Sequence, residues 1–203
     1  MNAPLVYFVD DDPEVLSTIM SMAEAIGITP KGFSSGNEFL ATLPSLQESL
    51  VFVDVRMKGA DGLEVLKQVR ERWFSAPVVM ISGSSDIAIA VEAMRRGATD
   101  FVEKPISLAE LEKTINDATS QGKNDTAADQ HPQAKSNLLK LTNRELQVAR
   151  LIVDGASNRE VGEQLGISQR TAEVHRANLI KKMQVNSFAE FVKACVIGKI
   201  DEL

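Results

Sequence analysis

Four short apolar runs punctuate the first 120 residues, at 5–9, about 50–53, Ala76–Ile81 and about 99–102, with a weaker extended stretch near 30–33. Between them, apolar positions take helical spacing near 13–26, 36–43, 62–73, 86–96 and 107–118. In the fourth of these segments Ile87, Val91 and Met94 recur at i, i+4 and i+7, which is one face of a helix. Strands alternating with helices of this length predict an α/β fold: a parallel sheet covered on both faces. Gly27, Gly62 and Gly97 fall near the predicted helix ends, where glycine relieves backbone strain.

The pattern changes after residue 137. Residues 119–137 contain no long apolar side chain and read as a linker, with His131 a solvated part of it. From 138 onward strand-like runs are absent, and four helices are predicted at about 143–154, 158–165, 169–183 and 188–197. Thr142-Asn-Arg-Glu145 and Ser157-Asn-Arg-Glu160 both fit a capping box, in which hydroxyl and glutamate satisfy orphan amides reciprocally. Ser168 and Ser187 are candidate caps for the last two helices. A short helix, Gly166-Ile167-Ser168 and a longer helix form a helix-turn-helix signal. The expected domains are 1–120 and 138–203, joined by 121–137.

Charge follows the same division. Residues 1–120 hold 10 Lys+Arg against 18 Asp+Glu, 121–137 hold 2 against 2, and 138–203 hold 10 against 8. An acidic first part and a mildly basic last part suggest units with different partners. At 44% apolar and 25% charged the composition is that of an ordinary globular protein. No apolar stretch approaches a membrane span, and the N-terminal run lacks the basic flank of a secretory signal. Cys195 is the single cysteine, so no intrachain disulfide can form, and a reducing, cytoplasmic setting is expected. Cys195 itself reads as a small buried hydrophobe.

The chemistry of the first part collects at strand ends. Asp10 and Asp11 follow the first strand, Asp54 the run Leu50-Val51-Phe52-Val53, Ser82 the run ending at Ile81, and Lys104 the last strand. In an open α/β sheet, ligands bind beyond the carboxyl ends of the strands at a topological switch, so these five residues are expected on one edge. Clustered carboxylates raise one another's pKa unless a cation neutralises them. Mg²⁺ (or Mn²⁺) suits an oxygen-only site that shares ligands with phosphate. With charge balanced, a carboxylate can attack phosphorus, and a lysine can pair with phosphoryl oxygens. The bland alternative is helix capping. It is the expected role of Asp12, before Pro13, but it does not account for Asp10, Asp11, Asp54 and Lys104 on three strand ends.

Val9-Asp10-Asp11-Asp12, Val53-Asp54-Val55-Arg56-Met57, Asp61-Gly62, Ile81-Ser82-Gly83, Gly97-Ala98 and Phe101-Val102-Glu103-Lys104-Pro105 closely resemble, in order, the receiver domain of two-component response regulators. The resemblance implies a (βα)5 doubly wound sheet of order 2-1-3-4-5. It implies that Asp54 accepts a phosphoryl group from a sensor histidine kinase. Asp11, Asp54 and the main-chain carbonyl of Arg56 would hold Mg²⁺, assisted by Asp10, with Lys104 on the phosphoryl group and Lys104-Pro105 cis. Ser82 and Phe101 match the family's switch pair; on spacing alone Phe101 also fits ordinary core packing. The family usually has proline where Lys58 stands, which predicts a more mobile loop there.

The third helix of the second part carries the other argument. Ala172, Leu179 and Met183 recur at i, i+7 and i+11 with His175 on the same side, so that face is expected inward. Arg170, Glu173, Val174, Ala177, Asn178 and Lys181 lie on the other face, a mixture suited to a DNA major groove. Arg159, Arg170, Lys181 and Lys182 are candidate phosphate contacts, and the amides near Ser168 a further anion site. Glu173 can accept from a cytosine amino group and Val174 can meet a thymine methyl. His175 fits either a phosphate contact or a buried structural role.

Leu141-Thr142-Asn143-Arg144-Glu145, Gly155-Ala156-Ser157-Asn158-Arg159-Glu160, Leu165-Gly166-Ile167-Ser168, Arg170-Thr171-Ala172-Glu173-Val174-His175 and Lys181-Lys182-Met183 resemble the LuxR-type helix-turn-helix domain of FixJ- and NarL-like regulators. The resemblance implies an all-α, four-helix domain with 169–183 as recognition helix, Thr171 among its DNA-facing residues, and Val192 and Val196 on a dimer-forming last helix.

The expected function is therefore a phosphorylation-controlled transcription regulator. Its expected partners are a histidine kinase, double-stranded promoter DNA, RNA polymerase and, once phosphorylated, a second copy of itself. Receiver dimerisation is expected through 86–102, with Ile87, Val91 and Arg95 as exposed contacts. It is expected not to be an enzyme beyond its own phosphoryl transfer and dephosphorylation. Two rivals stand beside this reading: a Mg²⁺-dependent phosphohydrolase with an aspartyl-phosphate intermediate, and a C-terminal bundle that binds only protein.

Overall fold

The computed structural model describes residues 4–83, 87–121, 136–185, 191–192, 194–195 and 200. Five parallel strands form one sheet: β1 (Leu5–Val9), β2 (Thr29–Phe33), β3 (Leu50–Asp54), β4 (Val78–Ser82) and β5 (Asp100–Glu103), in the order β2-β1-β3-β4-β5. Between and after them run α1 (Pro13–Ala25), α2 (Gly36–Thr42), α3 (Gly62–Arg72), α4 (Ile87–Arg95) and α5 (Leu108–Gln121). The expected α/β class and strand order are both found.

The two faces of the central strands divide the core. Val6 and Phe8 of β1, Leu50 and Phe52 of β3, and Val79 and Ile81 of β4 pack with Ile19 and Ala23 of α1 and Leu111, Ile115 and Ala118 of α5. On the opposite face Tyr7 meets the rings of Phe33 and Trp73, each at 6.0 Å, and Phe33 meets Phe39 at 5.1 Å. This alternation explains why the inner strands read as continuous apolar runs. β2 reads weakly because it is an edge strand, where Pro30 is tolerated. β4 starts two residues later than its apolar run: the Ala76 N–H donates to the Trp73 carbonyl in the preceding turn, and Pro77 follows.

The direction of the crossovers reverses at β1. β2 lies on one side of it, β3, β4 and β5 on the other. That reversal opens a crevice at the carboxyl ends of β1 and β3.

In the second part the helices are α6 (Asn143–Val153), α7 (Asn158–Leu165) and α8 (Gln169–Met183); the described residues 191–192 and 194–195 of the expected last helix are also helical. Both predicted capping boxes are present, Thr142 with Glu145 and Ser157 with Glu160. Gly166 closes α7 at φ 65, the left-handed conformation glycine adopts without penalty. Val148, Ile152, Val161, Ala172, Leu179, Met183 and Cys195 build the apolar cluster.

By contacts the chain divides into two compact units, Met1–Ser84 with Arg96–Asn124 and Ser85–Arg95 with Asp125–Leu203. Val91 of α4 is 3% exposed and belongs to the second unit's apolar cluster, so it is not the exposed contact expected of it. Val192, expected on a dimer surface, is fully buried in that cluster as well. The apolar stripes that nominated both residues are satisfied within the chain. Arg95 is exposed and lies 3.7 Å from Asp154; Val196, Ser187 and the Ile87 side chain fall outside the described residues.

A Cβ on Gly62 would lie 2.5 Å from the Asp54 carbonyl oxygen and 2.9 Å from the Val55 Cα, both backbone. Gly62→Ala is therefore expected to destabilise the first unit by about 1–3 kcal/mol, read as a lower midpoint in chemical denaturation.

Candidate functional site

The strand ends converge. Lys104 Nζ lies 2.7 Å from Asp10 Oδ2 and 2.6 Å from Asp54 Oδ1, joining the ends of β1, β3 and β5. Asp10 and Asp54 are both buried, at 3% and 5% exposure. Each is also fixed by backbone: the Asp12 N–H donates to Asp10 Oδ1 at 2.9 Å, and the Arg56 N–H donates to Asp54 Oδ2 at 2.8 Å. Asp10, Asp11 and Asp54 each bring a carboxylate oxygen within 4.8 Å of the others. Asp12 stands apart and caps α1, accepting from the Glu14 and Val15 amides ahead of Pro13.

Three carboxylates and one ammonium leave two negative charges uncompensated among these four side chains. Burial raises the Asp54 pKa, and the hydrogen bond and charge of Lys104 only partly oppose it. For Lys104 burial works against the charged form, but the hydrogen bonds it donates to Asp10 and Asp54, with the charges of both carboxylates, outweigh it and the pKa is raised. An oxygen-only cluster with excess negative charge fits a hard divalent cation.

The switch pair occupies neighbouring strands. Ser82 closes β4 at 1% exposure, its hydroxyl donates to the Gly83 carbonyl at 3.3 Å, and its own carbonyl accepts from the Lys104 amide at 2.7 Å. Phe101 of β5 is 7% exposed and pairs in register with Met80. Lys104-Pro105 is cis, as the resemblance implied.

Lys58 departs from the expectation of a looser loop. Its backbone N–H donates to Asp11 Oδ2 at 3.2 Å, a bond that proline cannot make. Two residues on, the Ala60 N–H donates to Asn37 Oδ1 at 3.2 Å. The loop after β3 is tied to a site carboxylate and to α2. Side-chain patterning gave no sign of either bond.

A second candidate surface lies on α8. Ala172, Leu179 and Met183 face inward as expected, and His175 is half-buried. Arg170, Thr171, Val174, Ala177, Asn178 and Lys181 are exposed, with Glu173 half-exposed among them. Ser168 caps the helix: its hydroxyl accepts from the Thr171 amide at 3.0 Å. Several predicted phosphate contacts have protein partners. Arg159 pairs with Glu163 at 2.9 Å, Arg170 with Glu173 at 3.4 Å, and Lys182 with Glu145 at 2.7 Å. The last pair ties the final turn of α8 to the capping box of α6.

Residues 6–116 match the response regulator receiver domain, and residues 139–194 match the bacterial regulatory proteins of the luxR family. The chain is a response regulator. It is 35% identical to the transcriptional regulatory protein FixJ of Bradyrhizobium diazoefficiens, over 93% of this chain and 92% of that protein. It is 34% identical to the tetrathionate response regulatory protein TtrR of Salmonella typhimurium, over 93% of this chain and 90% of that one. A crystal structure of full-length FixJ from B. japonicum aligns with a TM-score of 0.57 at 33% identity, covering 98% of this chain and 99% of that chain. This response regulator is thus a FixJ-like transcription regulator with receiver and LuxR-type DNA-binding domains, and the phosphohydrolase alternative is not favoured. Membership implies a histidine kinase and DNA as partners. No helix among the described residues is long and apolar enough to cross a membrane.

Glu145 makes the stability of the second unit depend on pH. The hydrogen bond from Lys182, joined by the Thr142 amide, holds its pKa at about 2 against an ordinary 4.5. A folded pKa below the unfolded one gives stability that is present above the unfolded value and lost as pH falls toward the folded one. The second unit's unfolding midpoint is expected to fall between pH 4.5 and about 2. In Glu145→Gln that slope should be shallower, by thermal melts across the range.

Proposed function

We propose that Asp54 is the phosphoacceptor of this response regulator. An Asp54 carboxylate oxygen attacks the phosphorus of a kinase phosphohistidine; the P–N bond breaks, an acyl phosphate forms, and the imidazole nitrogen leaves with the electron pair. The observation that supports this most directly is Lys104 Nζ, 2.6 Å from Asp54 Oδ1 and placed to pair with oxygens of the incoming group. Asp10, Asp11, Asp54 and the main-chain carbonyl of Arg56 would hold Mg²⁺ or Mn²⁺, which supplies the positive charge that offsets clustered carboxylates and phosphoryl oxygens. Asp10 and the Arg56 amide keep Lys104 and Asp54 in place.

The Ser82 hydroxyl turns from Gly83 toward the new phosphoryl oxygens, and Phe101 moves into the space it leaves. Phosphorylation adds about two negative charges, and this pair converts them into a changed surface. The domains run 1–120 and 138–203, with 121–137 as linker. The changed receiver surface promotes dimerisation, which pairs two recognition helices on a two-fold promoter site. Arg159, Ser168, Arg170, Thr171, His175, Lys181 and Lys182 position the protein on the backbone, while Glu173, Val174, Ala177 and Asn178 face the bases. Lys182 reaches phosphate only in exchange for Glu145. The regulator acts in the cytoplasm, with RNA polymerase as a further partner; its only catalysis is its own phosphoryl transfer and dephosphorylation.

Asp54→Asn tests the assignment. With Mg²⁺ and a small-molecule phosphodonor, the wild type is expected to gain one phosphoryl group by intact mass and to bind promoter DNA more tightly. Asp54→Asn should fold normally and show neither change. An equal gain in DNA affinity by that variant would place the switch elsewhere.

A further inference from the structure

Among the DNA-facing residues of α8, Glu173 is the odd one. Its Oε2 lies 3.4 Å from Arg170 Nη1, and its Oε1 accepts from Gln169 Nε2 at 3.3 Å. The two side chains it engages are exposed on the first turn of the helix, while Glu173 retains 37% side-chain exposure. The next residue, Val174, is 49% exposed, so its methyl groups are open to a partner. A carboxylate on this face is repelled by phosphates and by the acceptors that most major-groove base edges present, namely guanine N7 and O6, thymine O4 and adenine N7. Its only attractive base partners are exocyclic amino groups. Adenine places its amino group beside the N7 acceptor, whereas cytosine presents the amino group without a neighbouring acceptor.

We propose that Glu173 is a specificity gate in this response regulator. Its carboxylate requires a cytosine amino group at one position of each half-site, and by holding Arg170 and Gln169 it restrains binding to DNA that lacks that base. On a matching site the cytosine N4–H donates to the carboxylate, and Arg170 is released to an adjacent phosphate. Val174 sets the neighbouring position through apolar contact with a thymine methyl. The proposal rests on the assignment of Gln169–Met183 as the helix that enters the groove.

The test is selection from a randomised duplex library by full-length, phosphodonor-treated protein, followed by titration against the selected and random duplexes. The wild type is expected to select a cytosine that Glu173→Ala no longer requires, with discrimination at that base pair falling roughly five- to hundredfold. Glu173→Gln, which can pair with both N6 and N7 of adenine, should move the preference toward adenine at that position. Both variants should bind random duplex more tightly than the wild type, because Arg170 is no longer held. Asn178→Ala separates the two levels of the argument. If it alters the selected motif while both Glu173 variants leave it unchanged, the gate is overturned and the recognition helix stands. If none of the three alters the motif, the assignment of the helix falls as well.

Discussion

A lysine ammonium set between two buried carboxylates imposes the geometry of the receiver site. Lys104 lies within 2.7 Å of Asp10 and of Asp54, and these residues close three different strands. Taking such charges out of water is costly unless they are paired and hydrogen-bonded. The pairing here is complete in geometry but incomplete in charge, because three carboxylates face one cation. The remaining imbalance makes the site receptive to a hard divalent cation. Sheet order and strand length serve that arrangement: the reversal at β1 brings the ends of β1 and β3 side by side, and β5 delivers its lysine to them.

The features that the sequence made plain were those written in side-chain pattern. Apolar runs ending in Asp10, Asp54 and Lys104 announced a shared edge because parallel strands point the same way. Capping boxes at Thr142 and Ser157 announced helix starts because their chemistry is local. Val91 and Val192 were less legible. Periodicity says that a helix has an apolar face, but not whether another part of the same chain covers it. The ion pair of Lys182 was hidden for a related reason, since Glu145, its partner, lies 37 residues away. The amide of Lys58 escaped notice altogether, because a backbone donor leaves no mark on a side-chain pattern except where proline removes it.

The two units manage charge in different ways. The receiver concentrates uncompensated negative charge at one point, two of its three carboxylates buried. The second unit carries cations at exposed positions and pairs several with carboxylates: Arg159 with Glu163, Arg170 with Glu173, Lys182 with Glu145. Exposed pairs of this kind contribute little stability, on the order of 0–1 kcal/mol, so a stronger partner can displace them.

The central claim is that Asp11, Asp54 and the Arg56 carbonyl form one cation site beside Lys104. Crystals soaked in Mn²⁺ and recorded at the metal's absorption edge address it directly. The account predicts one anomalous peak within coordination distance of Asp11, Asp54 and the Arg56 main-chain oxygen. No peak among these groups at saturating Mn²⁺, or a peak only elsewhere on the protein, would contradict it.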